Sequence, residues 1–156
     1  MKKIWMKHPH SGGVKIPQDV QYRIRKRIEE YAAKNYAGRY KRLDIRFKGV
    51  FCYIDAYQKP DEPPKSLLKN TGETREEYFK RLSQTPTHLC RLRYFGNDEE
   101  WSLAFYTYSN EKYEPCIFNN GSFYGTPEEG FEIGAIYLNK KRSIGVNSFI
   151  VTKRRF

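Results

Sequence analysis

From Pro17 onward, apolar side chains return at every third or fourth position, as Val20, Ile24, Ile28, Tyr31 and Ala32. This spacing predicts an amphipathic helix with Pro17 at its first position and Gly38 as its C-terminal cap. The period then changes to two. Leu43, Ile45 and Phe47 alternate with Asp44, Arg46 and Lys48, and Lys48-Gly49 reads as a two-residue turn into a strand over residues 50–57. With Phe47 facing Val50, one face of this hairpin holds Leu43, Ile45, Phe47, Val50, Cys52, Ile54 and Ala56. The other face holds Arg42, Asp44, Arg46, Phe51, Tyr53, Asp55 and Tyr57. This register sets Arg42 opposite Asp55 and Arg46 opposite Phe51.

Residues 58–70 carry Pro60, Pro63 and Pro64 among charges and read as a surface connection within one domain. Thr74 followed by Glu77 is a capping box, opening a helix through Leu82 with Tyr78, Phe79 and Leu82 facing inward. Residues 88–95 and 101–108 form a second hairpin with Cys90, Leu92, Leu103 and Phe105 in the core; Arg91 and Arg93 then point to the opposite face, with Tyr106 and Tyr108. A further strand at Cys116-Ile117-Phe118 precedes the turn Asn119-Asn120-Gly121. Thr126-Pro127-Glu128-Glu129 starts a last helix to about Leu138, in which Gly130 and Gly134 each cost about 1 kcal/mol against alanine. Residues 1–15 read as a flexible basic arm, 16–138 as one domain, and 139–156 as a basic tail with an edge strand at Phe149-Ile150-Val151. The element order predicts an α+β fold: an antiparallel sheet of about five strands built from hairpins, with two to three helices packed mainly on one face.

Composition supports a real core. The hydrophobic fraction is only 38%, but 13 Tyr, 10 Phe and 2 Trp supply large buried areas per residue. No run approaches the roughly 20 apolar residues of a membrane helix, and residues 1–15 lack the apolar stretch of a signal peptide. Cys52, Cys90 and Cys116 are odd in number and sit in apolar runs, so they read as reduced thiols in the core, and the cytoplasm is the expected compartment.

Charge changes the picture further, because the net +11 is unevenly spread. Residues 1–48 balance to +10, residues 49–139 to −5, and residues 140–156 to +6. Two basic ends around an acidic middle point to a surface that meets polyanions. Arg23, Lys26, Arg27 and Lys34 share one side of the first helix; Arg39, Lys41, Arg42, Arg46 and Lys48 line the first hairpin; Phe51, Tyr53 and Tyr57 lie on the face of Arg42 and Arg46. Cations for phosphates beside rings for unstacked bases are the two ingredients of single-strand recognition. The first expectation is therefore a non-enzymatic domain that binds RNA or another single strand.

Other chemistry has less support. No cysteine pair has zinc-ligand spacing, and His8-Pro9-His10 has no ligand near it in sequence, so no metal site and no cofactor are expected. His88 and Cys90, two apart on a strand, are expected to share a face, with the thiol in the core. Asp44 and Asp55, diagonal neighbours at roughly 7 Å on one sheet face, form the alternative: a small metal-dependent nuclease. Walker-type and Gly-x-Gly-x-x-Gly loops are absent. Coverage of the aromatic face by a partner, as in a homodimer or protein-interaction module, is the third expectation.

Four stretches carry a resemblance: Tyr40-Lys41-Arg42-Leu43-Asp44-Ile45-Arg46-Phe47, Phe51-Cys52-Tyr53-Ile54-Asp55-Ala56-Tyr57, Thr85-Pro86-Thr87-His88-Leu89-Cys90-Arg91-Leu92 and Gly125-Thr126-Pro127-Glu128-Glu129. They resemble an uncharacterised family of small bacterial proteins, common in cyanobacteria, over most of the chain to about Leu138. That family has no assigned activity, so the resemblance implies no functional residues.

Overall fold

A computed structural model describes residues 9–58 and 62–138, so the edge strand expected near Phe149 lies outside the described residues. The chain runs α1 (Gln18–Asn35), β1 (Arg42–Lys48), β2 (Phe51–Tyr57), α2 (Lys65–Thr71), α3 (Arg75–Gln84), β3 (Thr87–Tyr94), β4 (Trp101–Thr107), β5 (Lys112–Cys116) and α4 (Pro127–Gly134), followed by a 3-10 turn (Ala135–Leu138). The five strands form one open antiparallel sheet in chain order, giving the α+β fold that the pattern predicts.

One face of that sheet makes the core. Ile45, Cys52, Ile54, Cys90, Leu92, Leu103, Phe105 and Cys116 meet Val20, Ile24, Ile28 and Ala32 of α1 and Phe131 and Ile133 of α4 in a single cluster. Each fully buried Ile, Leu or Phe there contributes about 1.5–3 kcal/mol. α1 and α4 also touch each other, so both lie on this side. α2 and α3 bury no residue. Tyr78, Phe79 and Leu82 are therefore only half-buried, short of the inward placement expected for them, and the guanidinium carbons of Arg75 and Arg81 sit over the Phe79 and Tyr78 rings at 4.5 and 5.5 Å. Both expected capping boxes form, Thr74 with Glu77 and Thr126 with Glu129.

Four local expectations are corrected. The first hairpin turns at Gly49-Val50, not Lys48-Gly49, because Lys48 pairs with Phe51. Gly49 has φ +61°, which places the glycine at the first central position of the loop, where a positive φ suits a two-residue hairpin. Arg42 consequently faces Tyr57 instead of Asp55, and Arg46 faces Tyr53 instead of Phe51. The shift is even, so the two face sets survive it. Second, the strand expected at residues 116–118 lies earlier, as β5, with Pro115 on the sheet edge where its missing N–H breaks no ladder bond. Third, the proline-marked connection contains α2, bounded by Pro64 and by Gly72 at φ +75°.

The fourth correction matters most for function. Ile54 pairs with Cys90 but Asp55 pairs with His88, which leaves Leu89 as an extra residue in β3. This β-bulge breaks the alternation. Leu89 and Cys90 are both fully buried in the core, while His88 turns to the opposite face beside Asp55, so His88 and Cys90 do not share a face. Val14, within the expected arm, donates its N–H to Tyr94 O at 2.9 Å, and Ile16, just after it, donates to Gly49 O at 3.0 Å, tying residues 14–16 to the sheet end.

Candidate nucleic-acid interface

The face away from α1 and α4 is built in rows across the strands. One row is Lys48, Phe51, Arg93 and Ser102; the next is Arg46, Tyr53, Arg91, Ala104 and Pro115; a third is Asp44, Asp55 and His88. Cross-strand neighbours on one face lie within side-chain reach, so each arginine meets a ring. Arg91 sits 4.2 Å over Phe51 and 5.2 Å over Tyr113, Arg93 4.7 Å over Phe51, Arg46 5.3 Å over Tyr53, and Arg42 3.8 Å over Tyr57. Phe51, Tyr53 and Tyr113 follow one another at 5.9 and 5.7 Å between ring centres.

Ser102 and Ala104 are the small members of these rows. Over them lies a cleft of about 170 Å³ whose lining includes His10, Phe51, Arg91, Arg93, Tyr113 and Pro115. That volume suits one planar ring or one phosphate, below the range of drug-sized pockets. Arg93 donates to the carbonyl oxygens of Gly12 and His10 at 2.8 and 3.0 Å. Burial, and then the charge of Arg91, lower the Arg93 pKa. Among the described residues, no carboxylate lies within ion-pair distance of Arg42, Arg91 or Arg93. Two like charges held side by side without an acid are an arrangement that an anion relieves.

The α1 cations are elsewhere. Arg23 bonds Asp19 and Asp98 at 2.9 and 2.8 Å, and Arg27 bonds Glu99 and Glu128, each at 2.7 Å. Lys26 and Lys34 are exposed on the same helix, on the far side of the sheet from Phe51 and Tyr53. The expected set is thus divided: Arg42, Arg46, Lys48, Phe51, Tyr53 and Tyr57 come together, Arg39 and Lys41 are exposed just before β1, and the helix residues do not join them. Arg91, Arg93 and Tyr113 complete the face. The polar phase of Arg91 and Arg93 was visible in the sequence; their register against β2 was not.

Asp44 and Asp55 face each other directly, closer in register than the diagonal placement expected for them. Arg46 lies between them, with Nε 3.4 Å from Asp44 Oδ2 and Nη2 2.7 Å from Asp55 Oδ2. A guanidinium thereby occupies the position that a divalent cation between the two carboxylates would take. Among the described residues, no group of three or more His, Cys, Asp or Glu is placed to hold a metal. The three thiols are buried, and burial pushes those of Cys52 and Cys90 up, away from the reactive thiolate. No helix among the described residues is long and apolar enough to cross a membrane. Compared with known proteins, the chain matches no family model, and neither a curated protein nor a solved structure matches it.

Proposed function

We propose that this domain binds single-stranded nucleic acid, RNA above all, in the cytoplasm, using the sheet face of Arg42, Arg46, Phe51, Tyr53, Tyr57, Arg91, Arg93 and Tyr113. The observation that carries the reading is the Arg91–Arg93 pair, without a carboxylate partner among the described residues, over Phe51. Phosphates answer the uncompensated cations, and unstacked bases find the ring faces of Phe51, Tyr53 and Tyr113. A sheet face offers this to a single strand better than to a duplex, whose bases are already stacked and paired. The expected reducing compartment fits three free thiols.

Fluorescence anisotropy with a labelled single-stranded oligonucleotide at several salt concentrations tests the reading. Binding weakens as salt rises, and Arg91→Ala/Arg93→Ala reduces the log–log salt slope by about 0.7 for each phosphate that the variant no longer neutralises. Phe51→Ala weakens binding by about 1–3 kcal/mol, the usual worth of one stacked base. Absence of binding at low salt, or an unchanged slope in the double variant, overturns the proposal.

A further inference from the structure

Asp55 is a buried carboxylate at 2% exposure, and the proposed binding role makes no use of it. Its Oδ2 accepts from Arg46 at 2.7 Å, and its Oδ1 lies 3.0 Å from His88 Nδ1. A carboxylate accepts only, so it keeps the proton of a neutral imidazole on Nδ1 and leaves the lone pair on Nε2. The His88 side chain is 35% exposed, and its Nε2 makes no hydrogen bond among the described residues. Tyr106 packs 4.7 Å from the ring, while Tyr108 and Tyr113 stand at 6.4 Å, so the imidazole is held on its flanks. The Tyr108 hydroxyl also accepts from the His88 backbone N–H at 2.6 Å. A plain core pair needs none of this, because regular alternation from Cys90 would turn residue 88 into the core; the bulge is what delivers it to the arginine-bearing face.

From this juxtaposition we infer that His88 is the general base of an RNA-cleaving centre, with Asp55 as its positioning residue and Arg46 as the adjacent cation; the inference rests on the single-strand binding reading. His88 Nε2 takes the proton of a ribose 2′-hydroxyl while that oxygen bonds to the neighbouring phosphorus. The bond from phosphorus to the 5′-oxygen breaks, the departing oxygen is protonated by water, and the imidazolium returns its proton to solvent. The strand is left with a 2′,3′-cyclic phosphate on one piece and a 5′-hydroxyl on the other, and no co-substrate is consumed. Arg46, which holds the other oxygen of the same carboxylate, is placed beside the negative charge that builds on the phosphoryl oxygens.

The test uses the full chain, with EDTA present, and an oligodeoxynucleotide carrying a single ribonucleotide. Cleavage 3′ of that ribonucleotide, yielding the cyclic phosphate, is expected. His88→Gln and His88→Asn lower its rate by about 100-fold or more. Added imidazole restores part of the rate in His88→Ala, which a merely structural role would not allow. Asp55→Asn lowers kcat and leaves KM unchanged, since an amide can donate to Nδ1 and favour the unproductive tautomer. The all-deoxy oligonucleotide measures binding separately, and the His88 variants retain it. Binding without cleavage, or equal cleavage by His88→Gln prepared in parallel, overturns this inference and leaves the binding reading standing. Failure of the unaltered protein to bind overturns both.

Discussion

At the scale of single residues, the Asp44–Arg46–Asp55–His88 chain shows how burial weights otherwise similar contacts. Asp44 is about one-third exposed and 3.4 Å from Arg46, whereas the Asp55 side chain is 3% exposed and 2.7 Å from the same guanidinium. Solvent screens the first pair, so Asp44→Ala should change stability by about 0–1 kcal/mol. Arg46→Ala leaves a buried carboxylate with His88 alone and should cost about 1–3 kcal/mol, a range reduced because Arg46 itself is half exposed. Urea denaturation of both variants checks the ranking. Equal effects would mean that Asp55 is reached by water.

Secondary structure elements meet closely enough here to reverse a propensity rule. Gly130 and Gly134 weaken α4 as an isolated helix, so replacing Gly134 by alanine would be expected to stabilise it by about 1 kcal/mol. A β-carbon at Gly134, however, would stand 2.9 Å from the backbone C and O of Leu89, the bulge residue of β3. Backbone cannot swing aside as a side-chain end can. Gly134→Ala should therefore destabilise the protein by about 1–3 kcal/mol, read as a lower Tm. A neutral or raised Tm would show that α4 lifts off the bulge without cost. The same contact ties the placement of His88 to the helix packed behind it, so a variant that shifts the bulge should disturb the site as well.

Over the whole molecule, folding cancels part of the charge separation seen along the chain. Asp98, Glu99 and Glu128, all from the acidic middle, close on Arg23 and Arg27 of the basic N-terminal block. Burial, the largest single influence, would raise the Glu128 pKa, but the Arg27 hydrogen bond, a backbone hydrogen bond and the Arg27 charge together outweigh it and hold the carboxyl below its usual range. The Arg23 hydrogen bond does the same for exposed Asp19, as Arg75 and Arg81 do for Glu62 and Glu73. A carboxyl with a lowered folded-state pKa contributes stability that is complete above its unfolded pKa and disappears as pH falls through the folded one. Tm should therefore hold near neutrality and fall below about pH 4.3, where unfolded glutamates take up protons. Glu128→Gln should flatten that decline; an unchanged acid limb would mean that the α1–α4 ion pair adds nothing to it.

Local patterning alone determined α1, α3, α4, β1 to β4 and the two faces of the first hairpin, because alternation, three-to-four spacing and capping residues are local properties that a register shift of two cannot disturb; it missed α2 and placed β5 too late in the chain. It also placed Arg46, Phe51, Tyr53 and Asp55 on one polar face and the three cysteines in the core. Tertiary structure decided the rest. A single inserted residue at Leu89 moved His88 from the face of Cys90 to the face of Asp55, and pattern reading takes such a residue as part of the regular strand. The pairing of β2 with β3 brought Arg91 and Arg93 to Phe51, a contact between residues some 40 positions apart that no local spacing encodes. Packing of α1 behind the sheet separated its cations from the aromatic face and gave two of them to carboxylates, because an amphipathic helix must bury its apolar stripe, and among the described residues the core cluster lies on that side.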